Sequence, residues 1–447
     1  MNTYKLTQTQ RTVIYALKLI PFKQYANIGT EVVFESEIDM HFMMQALVLA
    51  SLRAPNNRIR LLKKDDDIVQ YFSDEALDKI DYIEFDNDKT YKKDLFDYNA
   101  IPLVDKEFKG QLFKIRLVKK PNGELAINGC FSHIIYDAYS ILMFYQYIFE
   151  TYKALIHNEP LPPELDSPVE AFEIDYSYEG SNKQQIDRKY YDEIVFNTEP
   201  QFTTILGRNS KTFNKNRRSG KMGVSLTMKG GSLDLPIDNN TVDLVKKYAE
   251  EKRVSTQSLY LLAYRTYLSK VCEVDDVAIQ SVINRRPTTI QKRAGSTMAD
   301  TVWNRTIFSN DISFNEGLQR IFKEEMEGYK HANFGAQNAL GLVYKKYNTK
   351  KMETYASFQL TYQPGFYIDD EIKYRMNKIS NGKEVMLLYA SIMPHNTNKD
   401  YIVNYTYQKD FVKESNINEL HNFVLNFLNE GINNDSKTIN EIIKAIE

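Results

Sequence analysis

His133 precedes Asp137 by four positions, inside the stretch Leu125-Ala-Ile-Asn-Gly-Cys-Phe-Ser-His-Ile-Ile-Tyr-Asp-Ala-Tyr-Ser140. A neutral imidazole, with an ordinary pKa of about 6.5, can take the proton of an amine or hydroxyl nucleophile at neutral pH. The carboxylate four residues on lies across a turn and can anchor the geometry around the ring. A plainer reading stands beside this one, a part-buried histidine next to a turn-forming aspartate. Competing chemistries find little in the sequence. Cys130 and Cys272 offer no disulfide framework and no C-x-x-C spacing, and the six histidines are scattered, so no metal is expected. No G-x-G-x-x-G or G-x-x-x-x-G-K-[ST] stretch occurs, which argues against a nucleotide fold.

The elements around His133 follow from periodicity. Residues 111–118 and 124–133 each alternate with period two and flank Pro121-Asn122-Gly123, a hairpin signal. In the second strand Leu125, Ile127, Gly129, Phe131 and His133 share one face, and Ser132 points to the other. Apolar residues at 141, 142, 145, 148, 149, 152, 155 and 156 then mark a helix with one buried face, and Ser140 stands where an N-cap would start it. A histidine at such a strand-to-helix junction is held by rigid elements and opens onto the space beyond the strand. Helices are also expected at 8–20, 38–52, 239–252, 255–271, 315–330 and 416–430. Further strands are expected at 29–34, 276–283, 300–308, 355–362, 384–392 and 400–407.

A single core stops growing at roughly 250–300 residues, so 447 residues predict two α/β lobes. Pro160, Pro162, Pro163 and Pro168 mark the boundary, with residues 157–182 as the crossing segment and lobes at 1–165 and 166–447. The net charge of −2 gives no overall field to recruit nucleic acid or an anionic membrane. No run reaches about 18 apolar residues, so no membrane span is expected. The N-terminus lacks a signal-peptide pattern, and the expected location is cytoplasmic. The basic loop 211–221 reads as a solvated surface or as a contact for phosphates or an acidic protein. Asp65-Asp66-Asp67 reads as a solvated turn.

The Ser132-His133-Ile134-Ile135-Tyr136-Asp137-Ala138 stretch resembles the H-H-x-x-x-D-G motif of the condensation-domain superfamily, which also holds chloramphenicol acetyltransferase. Further segments resemble that family's motifs in order: Lys5 to Gln10, Ile174 to Tyr178 with Lys189 to Tyr191, Asn284-Arg-Arg-Pro287, Met298 to Phe308 with Asn304, and His331 to Phe334. Ser357 to Gln363 and Tyr405 to Phe411 complete the series, so the resemblance covers essentially the whole chain. The motif's first histidine is Ser132 here and its glycine is Ala138. A turn that required positive φ would strain an alanine by about 1 kcal/mol or more. Only Arg53 and its neighbours suggest the family's Arg-His-Glu segment.

The resemblance implies two chloramphenicol-acetyltransferase-like lobes, each a mixed sheet flanked by helices, set as a V with the active site in the cleft. It implies acyl transfer from a thioester to an amine or hydroxyl, with His133 as base. Positioning could supply about 7 kcal/mol or more, and a placed base roughly 10²–10⁴-fold in rate. Asp137 would pair with an arginine, Arg285 first and Arg286 next, to fix the loop that carries the histidine. Ser140 is an N-cap or an oxyanion donor, and Asn304 and Gln363 are candidates to line the cleft. Three functions fit. The first is a stand-alone condensation enzyme using phosphopantetheine thioesters on an acyl- or peptidyl-carrier protein, with no bound cofactor. The second is an acyltransferase drawing on coenzyme A and acting on a small alcohol or amine. The third is an inactive relative kept as a binding module. A monomer is expected, because two lobes in one chain complete the cleft.

Overall fold

A computed structural model describes residues 2–65, 67–105, 107–108, 110–223, 225–350, 352–363, 368–369, 371–396 and 400–447. In the first half, alternating strands build a sheet from β1 (Asn27–Phe34), β2 (Tyr82–Glu84), β3 (Phe113–Lys119) and β4 (Leu125–Ser132), in the order β2-β3-β4-β1. β2 and β3 are parallel and the other pairs antiparallel, so the sheet is mixed. The β3–β4 hairpin places Phe113 opposite Phe131 and turns at Gly123, whose φ of 87° is a left-handed conformation that glycine adopts at no steric cost.

Four helices clothe this sheet: α1 (Gln8–Leu19), α2 (Met40–Arg53), α3 (Asp88–Ala100) and α4 (Ala138–Ile156). Thr7 and Gln10 cap α1 reciprocally, and Asp39 caps α2 through the N–H groups of His41 and Phe42. α2 and α4 bury Met43, Leu47, Phe144 and Ile148 with Ile127 and Phe131 of β4. Val118 faces the opposite side of β3, where Tyr91 and Leu95 of α3 cover it. α3 is not among the helices expected from the sequence, because few of its residues are apolar.

The second half supplies β5 (Gly230–Ile237), β6 (Asp276–Ile283), β7 (Asp300–Ile307), β8 (Phe358–Tyr362), β9 (Tyr374–Ile379), β10 (Leu388–Pro394) and β11 (Tyr401–Gln408). Six of them form a mixed sheet ordered β7-β6-β8-β10-β11-β5, parallel at β6–β8 and β8–β10. Helices α5 (Asn239–Lys252), α6 (Thr256–Cys272), α7 (Phe314–Lys330) and α8 (Glu414–Asn433) flank it, and Leu262, Phe358, Leu388, Tyr405 and Phe427 belong to their shared core.

β9 does not join its own half. It pairs antiparallel with β1, Tyr374 opposite Phe34 and Ile379 opposite Gly29, and becomes the fifth strand of the first sheet. A Cβ on Gly29 would stand 2.6 Å from the Ile379 carbonyl oxygen and 2.4 Å from Asn99 Oδ1, so this register depends on glycine. A division of the chain at 165/166 does not contain this exchange. Between the halves, helices at Val169–Tyr178 and Asn182–Tyr190 follow the proline-rich stretch. No helix among the described residues is long and apolar enough to cross a membrane.

Candidate active site

The end of β4 is held from both sides. Ser132 N–H donates to the Leu112 carbonyl (2.8 Å) and His133 N–H to the Ala26 carbonyl (2.7 Å). The chain then turns: the N–H groups of Ile135 and Tyr136 return to the Ser132 carbonyl, and the Tyr136 hydroxyl donates to Asn57 Oδ1 at 2.7 Å. α4 begins one turn earlier than the sequence suggests. Asp137 is its N-cap and Ser140 its third residue, and the two form a reciprocal capping box.

Asp137 is 1% exposed and saturated with donors. Arg286 approaches both oxygens, at 3.0 Å to Oδ1 and 2.9 Å to Oδ2. The N–H groups of Met298 and Ala299 donate to Oδ2 at 2.8 and 2.9 Å, and Ser140 N–H to Oδ1 at 2.9 Å. Burial alone would raise this carboxyl, but the Arg286 charge and these hydrogen bonds overcome it and hold it down at about 2. Asp137 therefore ties the start of α4 to residues 286–299 of the second half. The partner is Arg286, where the sequence placed Arg285 first. Arg285 turns the other way, from a backbone with φ of 48°, toward Asp175 (3.2 Å) and Asp300 (3.5 Å). It also donates to Thr9 Oγ1, while Gln8 N–H donates to Asp175, so the N-terminal motif belongs to a second seam between the halves.

His133 lies in a different environment. Its ring lines a cavity of about 300 Å³ between the two sheets, walled by β1 and β9 on one side and by β5, β8 and β10 on the other. Nδ1 is buried and has no hydrogen-bond partner among the described residues. Burial pushes the imidazole below its ordinary range. Asp137 and an interaction with the residue's own backbone pull it back in part, and the Lys378 charge pushes it further down. The ring is neutral at neutral pH and can accept a proton.

The other expected residues separate on this geometry. Ala138 and Gln363 line the cavity. Ala138 has ordinary helical backbone, so the strain expected of a non-glycine residue there is absent. Ser132 is fully buried on the far side of β4, its Oγ accepting from Ile134 N–H at 3.4 Å. Ser140 is 1% exposed, and its hydroxyl and N–H both serve Asp137, which leaves neither for an oxyanion. Asn304 sits within the second sheet, donates to Ser281 Oγ at 2.6 Å and does not line the cavity. Arg53 donates to the Pro162 carbonyl at 2.8 Å and steadies the crossing segment.

The basic loop 211–221 borders a separate surface depression. Both of its arginines are paired, Arg217 with Glu353 and Arg218 with Asp276, and Arg208 beside the loop pairs with Glu273. Asp66 lies outside the described residues, and Asp65 has a left-handed φ of 53°.

Sequence reasoning missed five residues that line the cavity with the histidine: Tyr25, Met376, Lys378, Glu384 and Tyr389. One signal was available. In Tyr374-Arg-Met-Asn-Lys-Ile379 the residues 374, 376 and 378 alternate onto one strand face, and the first two are apolar. Their neighbours serve the other face, Arg375 pairing with Glu124 and Asn377 donating to Glu31.

The first condensation domain of the calcium-dependent antibiotic synthetase, solved with a substrate analogue, superimposes with a TM-score of 0.82 at 16% identity, covering 98% of each chain. The condensation domain of the Monacolin K polyketide synthase gives 0.81 at 12% identity, over 98% of this chain and 99% of that one. A variant starter condensation domain of rhizomide synthetase, in complex with C8-CoA, gives 0.80 at 15%, over 98% and 96%. In sequence, a plipastatin synthase polypeptide of Bacillus subtilis (strain 168) is 20% identical over 444 residues. Surfactin synthase subunit 1 of the same organism is 21% identical over 341 residues, which are 74% of this chain and 9% of that protein. The match to the plipastatin synthase takes in 99% of this chain but only 17% of that much longer protein. The sequence model of the family, described as the condensation domain, matches residues 1–444. With that match over nearly its full length, and with a histidine at the interlobe cavity beside an aspartate that clamps the two halves, this chain belongs to the condensation-domain family.

Proposed function

We propose that the chain transfers an acyl or aminoacyl group from a carrier-protein phosphopantetheine thioester to an amine or hydroxyl acceptor. The observation that carries this reading is the division of labour within one turn: His133 faces the cavity, and Asp137 is wholly engaged by Arg286 and three backbone N–H groups. The acceptor's nitrogen or oxygen attacks the thioester carbonyl. A C–N or C–O bond forms, the C–S bond breaks, and the acceptor's proton passes through His133 to the departing thiolate. A thioester is already activated, so positioning two substrates and moving one proton is what remains for the protein. A cavity walled by both sheets suits that task, because each lobe can hold one substrate.

Coenzyme A is the second donor reading, favoured by the rhizomide synthetase starter domain in complex with C8-CoA. A non-catalytic role predicts a displaced histidine or a closed cleft. The position of His133 and the unstrained Ala138 both support catalysis instead. The test is thiol release by wild-type protein from acyl-carrier and acyl-CoA thioesters, each offered with amines and alcohols, with product mass recorded. Acceptor-dependent release supports transfer, and the preferred donor separates carrier protein from coenzyme A. No release from any thioester by folded protein contradicts it.

A further inference from the structure

The described ionisable groups facing the cavity are met in different ways, and Lys378 stands apart. Its side chain enters from β9, in register with Thr30 of β1, and lines the same cavity as His133. Among the described residues no acceptor lies within hydrogen-bond or ion-pair distance of its Nζ, and the Tyr389 ring lies 5.0 Å away. Glu384, the acid lining the cavity, makes no ion pair with Lys378, and its Oε1 accepts from Val385 and Met386 N–H at 2.9 and 3.0 Å. The surroundings are largely apolar, with Ile28, Ile141, Leu142, Met376 and Met393 on the walls. Burial lowers the lysine's pKa, while Glu384 and Asp234 favour its charged form. A half-buried cation in such a space, met among the described residues only by the face of the Tyr389 ring, is incompletely compensated until an anion meets it. Contrast Arg286, whose charge is met by a carboxylate and two carbonyls.

We infer that Lys378 is a specificity residue that recognises a carboxylate carried by one of the two substrates of this cavity. The inference rests on the acyl-transfer reading above. Lys378 acts on the same space as His133, so the anion it meets belongs to the reacting molecules. The phosphate of a pantetheine arm is a full arm's length from the thioester. Two molecules could bring the carboxylate: an acceptor that is a free amino acid, or a donor whose acyl chain ends in an acid. A direct ammonium–carboxylate contact, shielded from water, favours the acid over a neutral analogue by about tenfold or more.

The test is equilibrium binding by calorimetry on the whole chain, which does not depend on turnover. The acceptor arm compares L-leucine with L-leucinamide. The donor arm compares the N-acetylcysteamine thioesters of glutaric and pentanoic acids. The expected result is at least about tenfold tighter binding of the acid in one arm, lost in Lys378→Met and largely kept in Lys378→Arg; that arm names the substrate. Lys378→Gln replaces Lys378→Met if the latter does not fold. Absence of preference in both arms, or a preference that survives in the uncharged variant, overturns the inference. Failure of the acyl-transfer reading looks different: the binding preference persists, but no thiol is released from any thioester.

Discussion

His133 and Asp137 sit four residues apart, and the fold surrounds them in opposite ways. Asp137 is 1% exposed, accepts from Arg286 and from three backbone N–H groups, and is held ionised at about 2. His133 Nδ1 has no hydrogen-bond partner among the described residues, and the ring lines the interlobe cavity and is held neutral by burial. One group is saturated and the other left available. A saturated carboxylate cannot move a proton in the reaction, but it can fix where α4 starts and therefore where the strand end carrying His133 lies. An imidazole that no other described side chain holds adds little to stability and is free to do chemistry. The difference teaches that the two motif residues divide between architecture and reaction.

The largest way to break this comparison is Asp137→Asn. It leaves Arg286, whose side chain is 0% exposed, without its counter-charge, a loss of about 3–5 kcal/mol in unfolding free energy. A lowered urea midpoint with unchanged slope reports that loss, and a cost below about 1 kcal/mol would mean the pair is not structural. Acid unfolding sharpens the same point. The native pKa of Asp137 is depressed from 3.8 to about 2, so it contributes about 2 kcal/mol above pH 4, lost as pH falls through 2. His133 adds a separate acid-side effect. Its native pKa lies below 6.5, so it has no effect on stability above that pH, and below it the unfolded chain binds the proton first.

The same depression shapes the rate. kcat/KM is expected to fall about tenfold per pH unit on the acid side, with its inflection below 6.5. An inflection above 6.5 would assign the base elsewhere. Ser140→Ala removes half of the capping box and should cost about 1 kcal/mol, read by thermal unfolding. The smallest effect is Ala138→Gly. Ala138 opens α4 with helical backbone, so glycine destabilises by up to about 1 kcal/mol. A gain in stability would show that the position is strained after all.

The sequence carried the strand-to-helix junction well, because alternation through Phe131 and a helical stripe from Ile141 are both local signals. The helix at 239–252 and the strand at 276–283 were likewise legible to the residue. What failed is non-local. Arg285 and Arg286 are neighbours of one type, and a left-handed φ at Arg285 decides which faces Asp137. Asn304 alternates within β7, but its burial depends on Ser281 across the sheet. α3 buries only Tyr91, Leu95 and Asn99, too few for an apolar stripe, although its cap Asn87 was readable. β9 is a six-residue segment whose partner, β1, lies more than three hundred residues earlier. That crossing brings Met376 and Lys378 to the cavity, so one wall of the site was invisible along with the strand.

The most direct test of the central claim is His133→Ala, followed in parallel by thermal unfolding and by acceptor-dependent thiol release with the best wild-type thioester. The account predicts a melting temperature within a few degrees of wild type and a rate at least about a hundredfold lower. A variant that keeps wild-type turnover, or one that loses turnover only by unfolding, would contradict the assignment of His133 as the base.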